Sequence, residues 1–258
     1  MLHPQKTVAA TAVEARRAIK RLARPAGDFD ASRYFRGEHD LGFYNVGTVP
    51  MRALARSIHA AHRESWDVGD AMAFADALIA DRYLEVKSVG IEVVARYRRD
   101  FTPALLGRWK RWLSANHSAN WATTDAICGV LIGPLLVSHA GLARQMRSWS
   151  RHRNMWVRRA SIVALLPLVR KGSGADQGGG VDLVYEIARR LHADREDLIQ
   201  KAVGWALREA GKVDAARLER YLRANVRVIP RTTFRYAIER FPPTVRQRLL
   251  KLPSGPNF

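Results

Sequence analysis

Trp121 and Asp125 stand four residues apart in Asn120-Trp-Ala-Thr-Thr-Asp125. On a helix that spacing puts an indole and a carboxylate on one face, a turn apart. Both groups favour positive charge, the carboxylate directly and the indole through the electron-rich face of its ring. The pair therefore suits a reaction in which cationic character develops beside it. The same spacing also fits a core tryptophan followed by a solvated or capping aspartate. Two later segments carry related residue types. Asn154-Met-Trp-Val-Arg-Arg-Ala-Ser161 holds Arg158 and Arg159, of which one can face inward while the other meets solvent. Gln200-Lys-Ala-Val-Gly-Trp-Ala-Leu-Arg-Glu209 supplies Lys201, Trp205 and Arg208.

Other chemistry finds less support. His59 and His62 are followed by Glu64, but a convincing third ligand is missing, so a packed or surface helix is expected and no metal site. Cys128 is the only cysteine, which excludes an intrachain disulfide and a multi-cysteine metal site, and its apolar surroundings make it a core residue. The glycine-rich stretch 172–180 lacks the Lys-Ser/Thr of a phosphate loop and reads as a flexible spacer. Trp66, Trp109, Trp112, Trp149 and Trp156 fall at packing positions. No cofactor motif appears, and no cofactor is expected.

These residues must be positioned by helices. Apolar residues recur at helical spacing, as in Val8, Val13, Ile19 and Leu22 or Leu105, Trp109, Trp112 and Leu113. Breaks are expected at Arg24-Pro-Ala-Gly27, Val49-Pro50, 172–180, Ile229-Pro-Arg231 and Pro242-Pro243. Val86-Lys-Ser-Val-Gly-Ile, Val157-Arg-Arg-Ala-Ser-Ile and Ile199-Gln-Lys-Ala-Val-Gly share one pattern, and the Trp121 segment lies between the first two. The intervals are roughly 35 to 42 residues, the period of HEAT-type helix pairs. The expected fold is an all-α HEAT-like helical-repeat solenoid with a concave basic face. It forms a single domain over 1–258, with a helical extension at 1–30 and a tail at 242–258. Equivalent helices line one face of such a solenoid, so residues distant in sequence can converge there.

Charge points to the partner. The 258 residues include 43 Lys and Arg against 24 Asp and Glu, a net charge of +19, which favours polyanions. Between Asp125 and Asp176 there is no acidic residue, while Arg144, Arg147, Arg151, Arg153, Arg158, Arg159, Arg170 and Lys171 fall in that interval. A surface of one sign is expected there. Arg217, Arg220, Arg223, Arg227, Arg231 and Arg235 recur at helical spacing, so that a phosphate backbone could follow them. The polar N-terminal stretch does not resemble a secretory signal, and the apolar run 126–137 is too short for a bilayer and is interrupted by Gly133 and Pro134. A cytoplasmic, nucleoid-associated protein with no membrane partner is expected.

Asn120-Trp-Ala-Thr-Thr-Asp125, Met155-Trp-Val-Arg-Arg-Ala160 and above all Ile199-Gln-Lys-Ala-Val-Gly-Trp-Ala-Leu-Arg-Glu209 resemble the AlkD-like family of bacterial DNA alkylation repair glycosylases. The resemblance covers roughly residues 30 to 240 and is strongest after Asn116. It implies that Asp125 is the catalytic carboxylate and that Trp121 and Trp205 are the aromatic walls of the site. It further implies that Arg159 supports DNA binding and that Arg208 lies near the backbone, with Arg158 and Lys201 as neighbouring DNA-binding residues. The implied substrate is duplex DNA carrying cationic 7-alkylguanine or 3-alkyladenine, and bulky adducts are tolerated because the family works without base flipping. The implied product is an abasic site, formed by a monomer. Two positions depart from the family's aromatic pattern, Asn120 before Trp121 and Asp197-Leu198 before the Ile-Gln-Lys motif, and they bear on lesion preference. The alternative is a non-enzymatic helical-repeat scaffold that binds DNA or protein, since such repeats commonly serve as interaction surfaces.

Overall fold

The computed structural model describes residues 7–27, 35, 40–171 and 179–253. Among them the fold is all-α and of the helical-repeat type, as the periodicity indicates, with no strand and one isolated bridge between Gly42 and Tyr83. The chain divides into two compact units, residues 1–131 and 132–258.

The first unit contains α1 (Val8–Arg21), α2 (Thr48–His62), α3 (Val68–Ile79), α4 (Leu84–Val94), α5 (Leu105–Ser114) and α6 (Trp121–Ile127). The Thr7 hydroxyl caps α1 by accepting from the Ala10 amide at 3.2 Å, and Lys20 and Arg21 sit in its last turn, where the helix dipole favours cations. Ala12, Ala15 and Ile19 of α1 are buried, so the expected extension belongs to this unit's core. The expected break at Val49-Pro50 instead falls inside the first turn of α2, where a proline gives up no helical hydrogen bond. His62 and His59 are packing residues here: His62 stacks on Trp66 at 4.2 Å and His59 meets the edge of Tyr97. Helices α3 and α4 pack closely at Gly90, where a Cβ would lie 3.2 Å from the Ala75 Cα.

The second unit contains α7 (Gly133–Ser138), α8 (Met146–Trp149), α9 (Met155–Val163), α10 (Leu166–Lys171), α11 (Gly179–Leu191), α12 (Asp197–Val213), α13 (Ala215–Asn225), α14 (Arg231–Ala237) and α15 (Pro243–Leu250). Most of the glycine-rich stretch lies outside the described residues, and its last two glycines open α11. The stretch expected as a tail contains α15. Helices α12 and α14 approach at Gly204, where a Cβ would run into Tyr236 and lie 2.7 Å from the Thr233 carbonyl oxygen. Residues Trp121–Ser138 form one helical stretch of 18 residues, through a π-helical segment at Cys128–Ile132. It continues past Pro134 because that ring falls in the first turn after the π-helical segment. The stretch is apolar enough by composition to cross a bilayer, and half of it is buried inside the protein.

The sequence repeat appears as a register. Helices α4, α6, α9 and α12 start after Tyr83, Asn120, Asn154 and Glu196, which aligns Lys87, Thr124, Arg158 and Gln200 at the fourth helical position. Three of these side chains turn back to the segment before their own helix. Lys87 donates to the Ile79 carbonyl at 2.8 Å, Arg158 to His152 and Arg153 at 3.1 and 2.8 Å, and Gln200 to Asp194 at 3.2 Å. Neighbouring repeats are joined by Arg52–Glu92, Arg147–Glu186, Arg158–Asp194, Arg170–Glu209 and Arg217–Asp182, which span 35 to 40 residues of sequence. The acid-free interval is therefore not a surface of one sign. Glu186, Asp194 and Glu209, each about one repeat downstream, fold back against Arg147, Arg158 and Arg170.

His192 is buried after α11, with Nε2 2.7 Å from the Tyr221 hydroxyl, and desolvation draws its pKa down from 6.5 to about 4. The unfolded chain therefore binds more protons than the folded one between those two values. Stability from the neutral ring is complete above pH 6.5 and is lost as pH falls through 4, an amount on the order of 3 kcal/mol. Denaturant melts of the wild type across pH 4 to 6.5 should show this loss, and His192→Gln should flatten it.

Candidate active site

Asn120 is 4 % exposed and begins α6. Its Oδ1 accepts from the Thr123 amide at 2.7 Å, and its Nδ2 donates to the Ser118 carbonyl and the Thr123 hydroxyl at 2.7 and 2.9 Å. The Thr124 hydroxyl donates to the Asn120 carbonyl at 2.9 Å. An aromatic side chain could not make the three bonds of the Asn120 amide, so the departure at Asn120 supplies an N-cap at the start of the helix that carries Trp121 and Asp125. The preceding loop turns sharply. Asn116 and Ala119 both have positive φ, 59° and 53°, and for alanine this left-handed conformation carries a steric cost of about 1 kcal/mol.

Trp121 and Asp125 then stand at the first and fifth positions of α6, both half-buried. The Trp121 indole stacks on Phe35, with ring centroids 5.3 Å apart and planes 18° from parallel, and Phe35 in turn meets Phe43 at 5.1 Å. This aromatic row was invisible in the sequence, because Phe35 and Phe43 precede Trp121 by most of the unit and fit no repeat pattern. Carboxylate and indole thus share one helix, as their spacing predicts, and the Phe35 ring packs against the indole.

The remaining candidates belong to the second unit. Arg159 and Lys201 hold the fifth position of α9 and α12, the register position that Asp125 holds in α6. Arg159 is 5 % exposed and its guanidinium donates to the Leu198 carbonyl at the start of α12. The second departure from the family pattern therefore presents its backbone to this arginine. Arg158 points to the other side, with Nε 2.6 Å from Asp194. Lys201 is half-exposed and pairs with Asp197 at 2.6 Å on its own helix, and Trp205, half-buried, follows one turn later. Arg208 pairs with Glu239, while its buried Nε makes no hydrogen bond.

Residues 15–241 match the family described as DNA alkylation repair enzyme. The chain belongs to that family. Its role is in DNA repair, and DNA is its partner. The fold agrees with the solved structure of a "Predicted DNA alkylation repair enzyme from Enterococcus faecalis", with a TM-score of 0.68 and 19 % identity over 94 % of this chain and all of that one. No curated protein matches the chain.

Within this member of the family, the start of α6 depends on one side chain. Asn120→Ala should lower unfolding stability by about 1 to 2 kcal/mol, and Asn120→Asp, which keeps the accepting oxygen, should lower it less. Urea titrations of the three proteins test this ordering.

Proposed function

We propose that this chain is a monofunctional DNA glycosylase, which hydrolyses the N-glycosidic bond of cationic alkylated purines in duplex DNA and leaves an abasic site. The observation that carries the reading is the Trp121 and Asp125 pair, a turn apart on a capped helix, in a member of a DNA alkylation repair family. Alkylation at N3 or N7 gives the purine a positive charge. When the bond from C1′ to nitrogen breaks, its electron pair neutralises that charge, so the base departs without a general acid and one carboxylate suffices. Asp125 faces the cationic character that develops on the sugar and orients the water whose oxygen bonds to C1′ and whose proton leaves to solvent. The π face of Trp121 contributes roughly 0.5 to 2 kcal/mol to the same charge.

Phosphate binding divides among the cations according to their surroundings. Lys201 and Arg208 contact phosphates directly, exchanging their surface carboxylates for the backbone. Arg158 and Arg159, held by carbonyls of the protein, act as fixed positive charges behind them. Substrates are 7-alkylguanine and 3-alkyladenine, extending to bulky adducts because no enclosing base pocket is required. A monomer acting in the cytoplasm on the nucleoid completes this reading.

Methylated duplex incubated with the purified chain should release 7-methylguanine and 3-methyladenine, and Asp125→Asn should slow release by roughly 100-fold or more. A wild type that binds duplex in a salt-sensitive manner yet releases nothing would make the protein a DNA-binding scaffold. For the phosphate assignment, Lys201→Ala should weaken duplex binding and reduce the slope of log K against log salt by about 1. Arg158→Ala should instead lower the melting temperature and leave that slope unchanged.

A further inference from the structure

The turn that leads into α6 is held from the side by a residue of the preceding repeat. Lys87, at the fourth position of α4, is 3 % exposed, and its ammonium donates to two carbonyls, Ile79 at 2.8 Å and His117 at 2.6 Å. The first bond holds the last residue of α3. The second reaches forward to a residue between the two left-handed positions Asn116 and Ala119, three residues before the Asn120 cap. Other bonds brace the same turn: the His117 amide donates to the Trp112 carbonyl at 2.9 Å and Asn120 to that of Ser118. Lys87 is the only side chain among those bonds that comes from outside the turn and the helices flanking it.

A buried ammonium is a costly way to satisfy two carbonyls, since a neutral hydrogen-bonding side chain avoids the desolvation of a charge. Burial has drawn its pKa down from 10.5 to about 8, so the cost is real and the group still carries a proton at neutral pH. A long, straight side chain with several donors has one advantage over smaller polar residues: it spans two loops at once. Arg158 occupies the same register position in α9 and does the equivalent work, holding the His152 and Arg153 carbonyls on one side and Asp194, two residues before the α12 N-cap, on the other.

We propose that Lys87 is a positioning residue of the candidate site, whose clamp on the Ile79 and His117 carbonyls sets the turn from which Asn120 launches the helix bearing Trp121 and Asp125. It acts through the turn and touches no reacting atom. The consequence for catalysis rests on the glycosylase reading of Asp125, whereas the consequence for the turn does not.

Two readouts separate those dependences. Hydrogen exchange of the amides at 117–125 is compared in wild type, Lys87→Met and Lys87→Arg, with α12 as the internal reference. Lys87→Met should speed exchange in that segment about tenfold or more while α12 is unchanged, and Lys87→Arg, which can reach two carbonyls as Arg158 does, should restore most of the protection. In parallel, single-turnover release of 7-methylguanine from methylated duplex should fall roughly 10- to 100-fold in Lys87→Met, with the affinity for undamaged duplex within about twofold of wild type, and recover in Lys87→Arg. Unchanged exchange at 117–125 in a folded Lys87→Met protein overturns the proposal. So does faster exchange everywhere, α12 included, which is a stability effect alone. A wild type that releases no base, together with the local exchange change, sinks the glycosylase reading and supports the clamp. A change in exchange with full release activity overturns the positioning role for the site.

Discussion

The constraint on which the molecule depends is that loops between packed helices carry backbone carbonyls away from water, where each needs a donor. This protein meets it with a polar side chain at one register position. Arg158 and Gln200 reach back to the loop before their own helix and Lys87 to the last residue of α3, and the two cations also reach forward to the loop before the next repeat's helix. Long side chains are needed because two loops must be spanned from one helix. The desolvation of a cation is tolerated because carbonyl dipoles and, for Arg158, the Asp194 carboxylate surround it. In α4, α9 and α12 this tie braces the first helical turn, whereas in α6 Thr124 closes on the Asn120 carbonyl of its own cap.

Ion pairs extend the same logic along the sequence. Carboxylates about one repeat downstream return to Arg147, Arg158 and Arg170, which makes a run without acidic residues internally neutral at several points. The row from Arg217 to Arg235 behaves similarly: Arg217 pairs with Asp182 and lies over the Tyr185 ring at 4.5 Å, and Arg223 pairs with Glu219. Arg220, Arg227 and Arg235 of that row are exposed, as are Arg144, Arg151 and Arg153 of the earlier run. The net charge of +19 is unaffected by such pairing, so the long-range field that attracts a polyanion survives although the local stripes are interrupted.

Of the two departures from the family's aromatic pattern, Asn120 has a physical role, because its side chain makes three hydrogen bonds at a helix start. The Leu198 carbonyl accepts from the buried Arg159, a bond that any residue at this position would keep. Meanwhile Phe35 supplies a ring against Trp121 from a different part of the chain.

The sequence by itself determined the helical class, the repeat period, the joint presence of Trp121 and Asp125 on one helix face and the surplus of positive charge. These are local or additive properties: helical spacing follows from the backbone's fixed pitch, and net charge from composition. Only the tertiary structure decided that Arg159 is buried while Arg208 meets Glu239, that Lys87 holds the turn before Asn120, that Phe35 stacks on Trp121, and that α2 and the stretch through Pro134 continue where breaks were expected. Each of these depends on which loop or ring a side chain meets after the repeats stack, and a repeat pattern fixes the spacing of such partners without fixing their identity.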